Sequence, residues 1–72
     1  GNTNILALIT KIKNTRTKKG KPMAFVETLS KDKARKLAYF GDKLEELKKG
    51  NMYIMQLDNT VIRDFITAKK RA

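Results

Sequence analysis

The chain has 72 residues, enough for one small domain. Lys+Arg number 17 against 7 Asp+Glu, a formal net charge of +10, while 40% of residues are hydrophobic. That composition is too apolar for a disordered chain, and it supplies one compact core under a strongly basic surface. There is no cysteine and no histidine, which excludes disulfide scaffolds, thiolate and imidazole metal sites, and Ser-His-Asp chemistry.

The longest apolar run is Ile5 to Ile9, far short of a membrane span. The opening Gly1-Asn2-Thr3-Asn4 is neither a signal peptide nor a natural initiator. The expectation is a cytoplasmic, non-catalytic binding module, monomeric, without membrane contact or cofactor, and cut from a longer protein. A core this small leaves a net stability of only ~3–5 kcal/mol. Nearly every apolar residue is therefore needed inside.

Ile5 to Lys13 is rich in β-branched residues and reads as a strand. Its pattern changes from continuous to alternating, which suggests a bend or bulge. Asn14 to Pro22 has no apolar residue before its terminal Gly20-Lys21-Pro22 and reads as a loop. Met23 to Leu29 is a second, largely buried strand, and Ser30-Lys31-Asp32 a polar turn. Lys33 to Phe40 fits a third strand, hairpin-paired to the second. Gly41 to Gly50 carries helix signals: Asp42 as N-cap, Glu45 three residues later as the other half of a capping box, late lysines, and Gly50 as a left-handed stop. Leu44 and Leu47 share a face, so this short helix should plug something apolar. Asn51 to Leu57 is a fourth strand, Asp58-Asn59 a tight turn, and Thr60 to Thr67 a fifth strand. Ala68 to Ala72 reads as a basic tail or linker.

Three strands, a short helix and two strands is the order of an all-β, five-stranded Greek-key barrel, the OB-fold, with its helix between the third and fourth strands. One domain over 1–72 is expected. Closure would also remove exposed strand edges.

The segment Thr17-Lys18-Lys19-Gly20-Lys21-Pro22-Met23-Ala24-Phe25-Val26 resembles the opening hairpin of the OB domain in the alpha subunit of bacterial DNA polymerase III. The likeness runs from about Ile5 to Asn51, with Phe40, Leu44, Leu47 and Gly50 at corresponding places. Three departures stand out: the turn Ser30-Lys31-Asp32-Lys33 lacks the family's glycine, Gly41 stands where proline is frequent, and the fourth strand runs into Gln56-Leu57-Asp58 where the family has a glycine-containing segment. The resemblance implies a module that binds single-stranded DNA beside a polymerase and contacts that enzyme's other domains. It implies no polymerase activity in this chain. Anticodon-binding OB domains share the topology, which makes RNA the alternative ligand. A protein-docking module within the polymerase assembly is the other alternative.

Six cations, Lys11, Lys13, Arg16, Lys18, Lys19 and Lys21, lie within eleven residues that hold no acid. Such a cluster attracts phosphates, and its simplest alternative is a solvated loop. Among the aromatics, Phe40 and Phe65 are expected in the core. Phe25 and Tyr39 lie on the strands that form the usual binding face and are candidates for base stacking. Tyr39 is favoured, because its hydroxyl would need a partner if buried. Lys33 and Arg35 share a strand face with Leu37 and Tyr39 by the period of two, so that face could join phosphate contacts to a stacking platform. Met23, Met52 and Met55 read as core filler. The acids form no metal-binding pattern.

Overall fold

The structure, a computed structural model, describes residues 2–68. The basic tail expected beyond Ala68 lies outside the described residues. Five strands are present: β1 (Asn2–Arg16), β2 (Pro22–Ser30), β3 (Lys33–Tyr39), β4 (Met52–Asp58) and β5 (Val61–Thr67). They close into a barrel in the order β1-β2-β3-β5-β4, with β4 returning to β1. This is the expected small five-stranded barrel, consistent with an OB-fold.

Closure depends on the length of β1. Its first half pairs with β4, from Asn2↔Asp58 to Leu8↔Met52. Its second half pairs with β2, from Leu8↔Leu29 to Arg16↔Pro22. The predicted irregularity falls between the halves: Ile9 faces Thr28 and Lys11 faces Glu27, so Thr10 is the extra residue of a β-bulge. A bulge bends its strand and sharpens its twist, and so lets one strand serve two neighbours. The Thr10 hydroxyl donates to the Glu27 carbonyl at 3.1 Å.

The core gathers inward-facing side chains from every strand: Ala7 and Ile9, Ala24 and Val26, Leu37 and Tyr39, Tyr53, Met55 and Leu57, Ile62 and Phe65. Leu47 closes one end of it. A second bulge, at Arg63 between Leu57↔Ile62 and Gln56↔Asp64, lets Ile62 and Phe65 both point inward although three positions separate them. The Phe65 ring meets Tyr39 edge-on at 5.2 Å and Tyr53 at 5.4 Å, a favourable aromatic geometry.

Between β3 and β4 the expected capped helix is a single 3₁₀ turn, Leu44–Glu46, preceded by Lys43, with no side-chain cap from Asp42. The cause lies in Tyr53. Its buried hydroxyl donates to the Glu46 carbonyl at 2.6 Å and accepts from the Lys48 amide at 2.8 Å. Groups a helix would pair with its own turns are taken by the barrel, and the chain leaves Leu47 in extended conformation. Gly50 does take positive φ (+89°), but as part of a turn in which the Asn51 amide reaches the Lys48 carbonyl.

Two further expectations are corrected. Phe40 follows the end of β3 and is 52% exposed, not in the core. Met52 is exposed on the outside of β4, while Met23 and Met55 are buried as expected. Gly41 has a steric role. A Cβ there would overlap the Tyr39 hydroxyl, so this position keeps the buried ring in place.

The seam between β3 and β5 is the thinnest part of the barrel. These strands run parallel and pair only at Ala38↔Val61 and Tyr39↔Ile62. Past that pairing Lys43 reaches β5. Its ammonium lies 2.9 Å from Asp64 Oδ1, donates to the Phe65 carbonyl at 2.9 Å, and sits 4.6 Å from the Phe65 ring centre. A backbone acceptor on a strand edge is thereby satisfied by a side chain.

Candidate nucleic-acid interface

Strand parity decides which residues share a surface. In β1 Ala7 and Ile9 are buried, the bulge inserts Thr10, and Lys11 and Lys13 then stand outside while Ile12 packs against the core. In β2 Ala24, Val26 and Thr28 face inward, leaving Phe25 and Glu27 outside. In β3 Leu37 and Tyr39 face inward, leaving Lys36 and Ala38 outside.

The ladders set these outer residues in rows. Lys13 stands opposite Phe25, and Phe25 opposite Ala38. Lys11 stands opposite Glu27, and Glu27 opposite Lys36. The rows form a cleft of about 390 Å³ whose lining includes these six residues and Thr60, from the turn between β4 and β5. Phe25 is 51% exposed. Its small neighbour Ala38 leaves the ring accessible, and Lys13 flanks it. An aromatic face beside lysines can stack a base and hold the adjoining phosphate.

The loop Thr17 to Lys21 is short and ordered by its own hydrogen bonds. The Thr17 amide donates to the Lys21 carbonyl at 2.8 Å, and the Gly20 amide to the Thr17 carbonyl at 2.9 Å. Gly20 has φ +84°, a conformation that suits glycine. Arg16 donates to the Gly20 carbonyl at 2.8 Å, so its guanidinium buttresses the loop. Lys18 and Lys19 project into water beyond it. Lys21 lines a separate cleft of about 1060 Å³ at the end of the barrel, with Pro22, Phe40 and Lys48.

The expected binding set therefore divides. Lys11, Lys13 and Phe25 come together. Arg16, Lys18, Lys19 and Lys21 stand at one end of the barrel, on and beside the loop. Tyr39 is not a stacking residue. It is 3% exposed, and its hydroxyl finds the partner that burial demands by accepting from the Lys43 amide at 3.2 Å. Lys33 and Arg35 are likewise not part of this face. They share the inward parity of Leu37 and Tyr39, and where β3 leaves the core they emerge near Leu6, Leu29 and Met52. In their place on the groove stands Lys36, which is absent from the binding set expected from sequence. Its neighbours of the same parity, Ala34 and Ala38, gave no signal, because alanine suits either face of a strand.

Among the described residues no group of three or more acids is placed to hold a metal ion, and no helix is long and apolar enough to cross a membrane. Together, the strand order, the closure and the central turn define a small closed β-barrel of OB type. No family model, curated protein or solved structure matches the chain.

Proposed function

We propose that this barrel is a non-catalytic module that holds single-stranded DNA along the outer face of β1, β2 and β3. The row Lys13–Phe25–Ala38 carries the reading: an exposed aromatic ring on a β-sheet with a lysine on one side and a small alanine on the other. Lys11 and Lys36 extend the cationic track, and Lys18 and Lys19 on the loop extend it past the barrel's end. Phosphate attraction and stacking read few base edges, so sequence preference should be slight. Glu27, between Lys11 and Lys36, breaks the positive surface and disfavours a phosphate at the centre of that row.

The parent we infer is a bacterial replicative DNA polymerase, the alpha subunit of DNA polymerase III. The support is the resemblance of Thr17 to Val26, together with a small closed five-stranded barrel consistent with an OB-fold. In such an enzyme a tethered barrel works at modest affinity, because the polymerase supplies effective concentration.

The test is fluorescence anisotropy with labelled oligo-dT and with oligo-U of the same length, over a series of salt concentrations. Binding that falls with salt by a log–log slope of about −0.7 per neutralised phosphate, and that weakens in Phe25→Ala, supports the reading. Binding of the RNA alone would assign the groove to RNA. Absence of binding to either at low salt would refute the reading.

A further inference from the structure

A second face of the barrel carries different chemistry. Leu6 stands opposite Ile54, and Ile54 opposite Ile66. In the next row Leu8 stands opposite both Leu29 and Met52. Leu6, Leu29, Met52, Ile54 and Ile66 are between 41% and 61% exposed. Neither row contains a charged residue, although the chain has 17 cations to distribute. Adjoining large aliphatic side chains left in water on so small and basic a domain mark an interaction surface.

The cations begin where these rows end. One cleft, of about 630 Å³, is lined by Leu6, Leu29 and Met52 together with Lys31, Lys33 and Arg35. Arg35 is half-buried, and its guanidinium has no hydrogen-bond or ion-pair partner among the described residues. Asp32, between Lys31 and Lys33 in the turn, is exposed and leaves these three cations in excess. A partly desolvated arginine without a partner favours an incoming carboxylate or phosphate.

The floor of the cleft decides between ligand classes. No aromatic ring lines it, so it offers no stacking platform for bases. Aliphatic side chains beside cations instead match a protein segment with apolar anchors and acidic neighbours. A second copy of this chain fits poorly, since each copy would bring Lys31, Lys33 and Arg35 against a partner of charge +10. We infer that this cleft and the aliphatic rows beside it dock an extended acidic segment of a partner protein. Its apolar side chains rest on Leu6, Leu29 and Met52, and its carboxylates face Lys31, Lys33 and Arg35. The surface shares no residue with the Phe25 groove, so either can fail without the other.

The experiment is selection of a random peptide library, displayed on phage, against the immobilised 72-residue chain. Enriched sequences should combine Asp or Glu with Leu, Ile or Phe. A synthetic consensus peptide should shift backbone amide resonances at Leu6, Leu29, Lys33, Arg35 and Met52, leaving Lys13 and Phe25 still. The variant Lys33→Glu with Arg35→Glu should bind that peptide about tenfold more weakly or worse, about 1.4 kcal/mol. Leu6→Ser, at an exposed position, should weaken it as well while leaving oligo-dT binding intact. No enrichment, or enrichment of basic or uncharged sequences, would overturn the inference. So would a consensus peptide that moves the Phe25 face. Oligo-dT shifting the Arg35 cleft as strongly as the Phe25 groove would assign the cleft to nucleic acid instead.

Discussion

Ile9 and Lys11 lie two residues apart on one strand and face opposite sides of the barrel wall. Regular β-structure would put them on the same side. The bulge at Thr10 separates them, holding Ile9 in the core and turning Lys11, and with it Lys13, toward Phe25. One irregularity thus bends β1 to close the barrel and lays out the cationic side of the groove.

Phe25 and Tyr39, the two stacking candidates of the sequence, should behave in opposite ways. Phe25→Ala should leave thermal unfolding nearly unchanged and weaken oligo-dT binding by ~1–3 kcal/mol. Tyr39→Ala should cost about 3–5 kcal/mol of stability, as much as a domain of this size possesses. Tyr39→Phe should lose about 1 kcal/mol, the hydrogen bond from the Lys43 amide. Urea unfolding and anisotropy on the same samples separate the effects.

Cations divide in the same manner. Lys11→Ala and Lys13→Ala should each reduce the magnitude of the log–log salt slope of oligo-dT binding by up to about 0.7, one phosphate apiece. Lys33→Ala and Arg35→Ala should leave the slope unaltered, because those side chains emerge elsewhere. Salt titrations of the four variants check this directly.

The Lys43–Asp64 contact should make stability sensitive to acid. The hydrogen bond from Lys43, then that from the Phe65 amide, holds the Asp64 carboxyl below the usual 3.8. The unfolded chain therefore binds a proton before the folded one does, and stability rises with pH through that window. The contribution is complete above the ordinary aspartate value and lost as pH falls through the lowered one. Lys43, raised above 10.5 chiefly by its hydrogen bond to Asp64, contributes below its ordinary value and loses that contribution as pH rises through the raised one. Both groups are solvent-accessible, so the effect should be small and salt-screened. Asp64→Asn should flatten the acid limb of urea midpoints plotted against pH.

The turn between β2 and β3 should be improvable. Lys31 and Asp32 take φ of 50° and 64°, left-handed values for two residues that each carry a Cβ. Such a hairpin favours Asn-Gly, and left-handed backbone costs ~1–2 kcal/mol per ordinary residue. Lys31→Asn with Asp32→Gly should raise stability by about 1 kcal/mol in urea unfolding, with no change in DNA affinity.

Strands and closure were legible because the apolar patterns of Ile5 to Lys13, Met23 to Leu29 and Asn51 to Leu57 have few other solutions. Even the bulge left a trace, in the change from a continuous to an alternating pattern in the first strand. The helix was misread because its signals are local, whereas the Tyr53 hydroxyl that claims the Glu46 carbonyl and the Lys48 amide arrives from another strand. The groove was half legible. Parity correctly grouped Lys33, Arg35, Leu37 and Tyr39, but the outward side of β3 is marked by Ala34, Lys36 and Ala38, and alanine suits either face. Phe40 escaped because a large aromatic at a strand's end is expected inside, and only closure of the barrel leaves it out.

The most direct measurement is an amide chemical-shift titration of the isotope-labelled chain with a short oligo-dT at low and at high salt. Salt-sensitive shifts are expected at Lys11, Lys13, Phe25, Lys36 and Ala38, with Leu6, Leu29 and Arg35 unmoved. Shifts confined to the Arg35 side, or none at Phe25 at low salt, would contradict it.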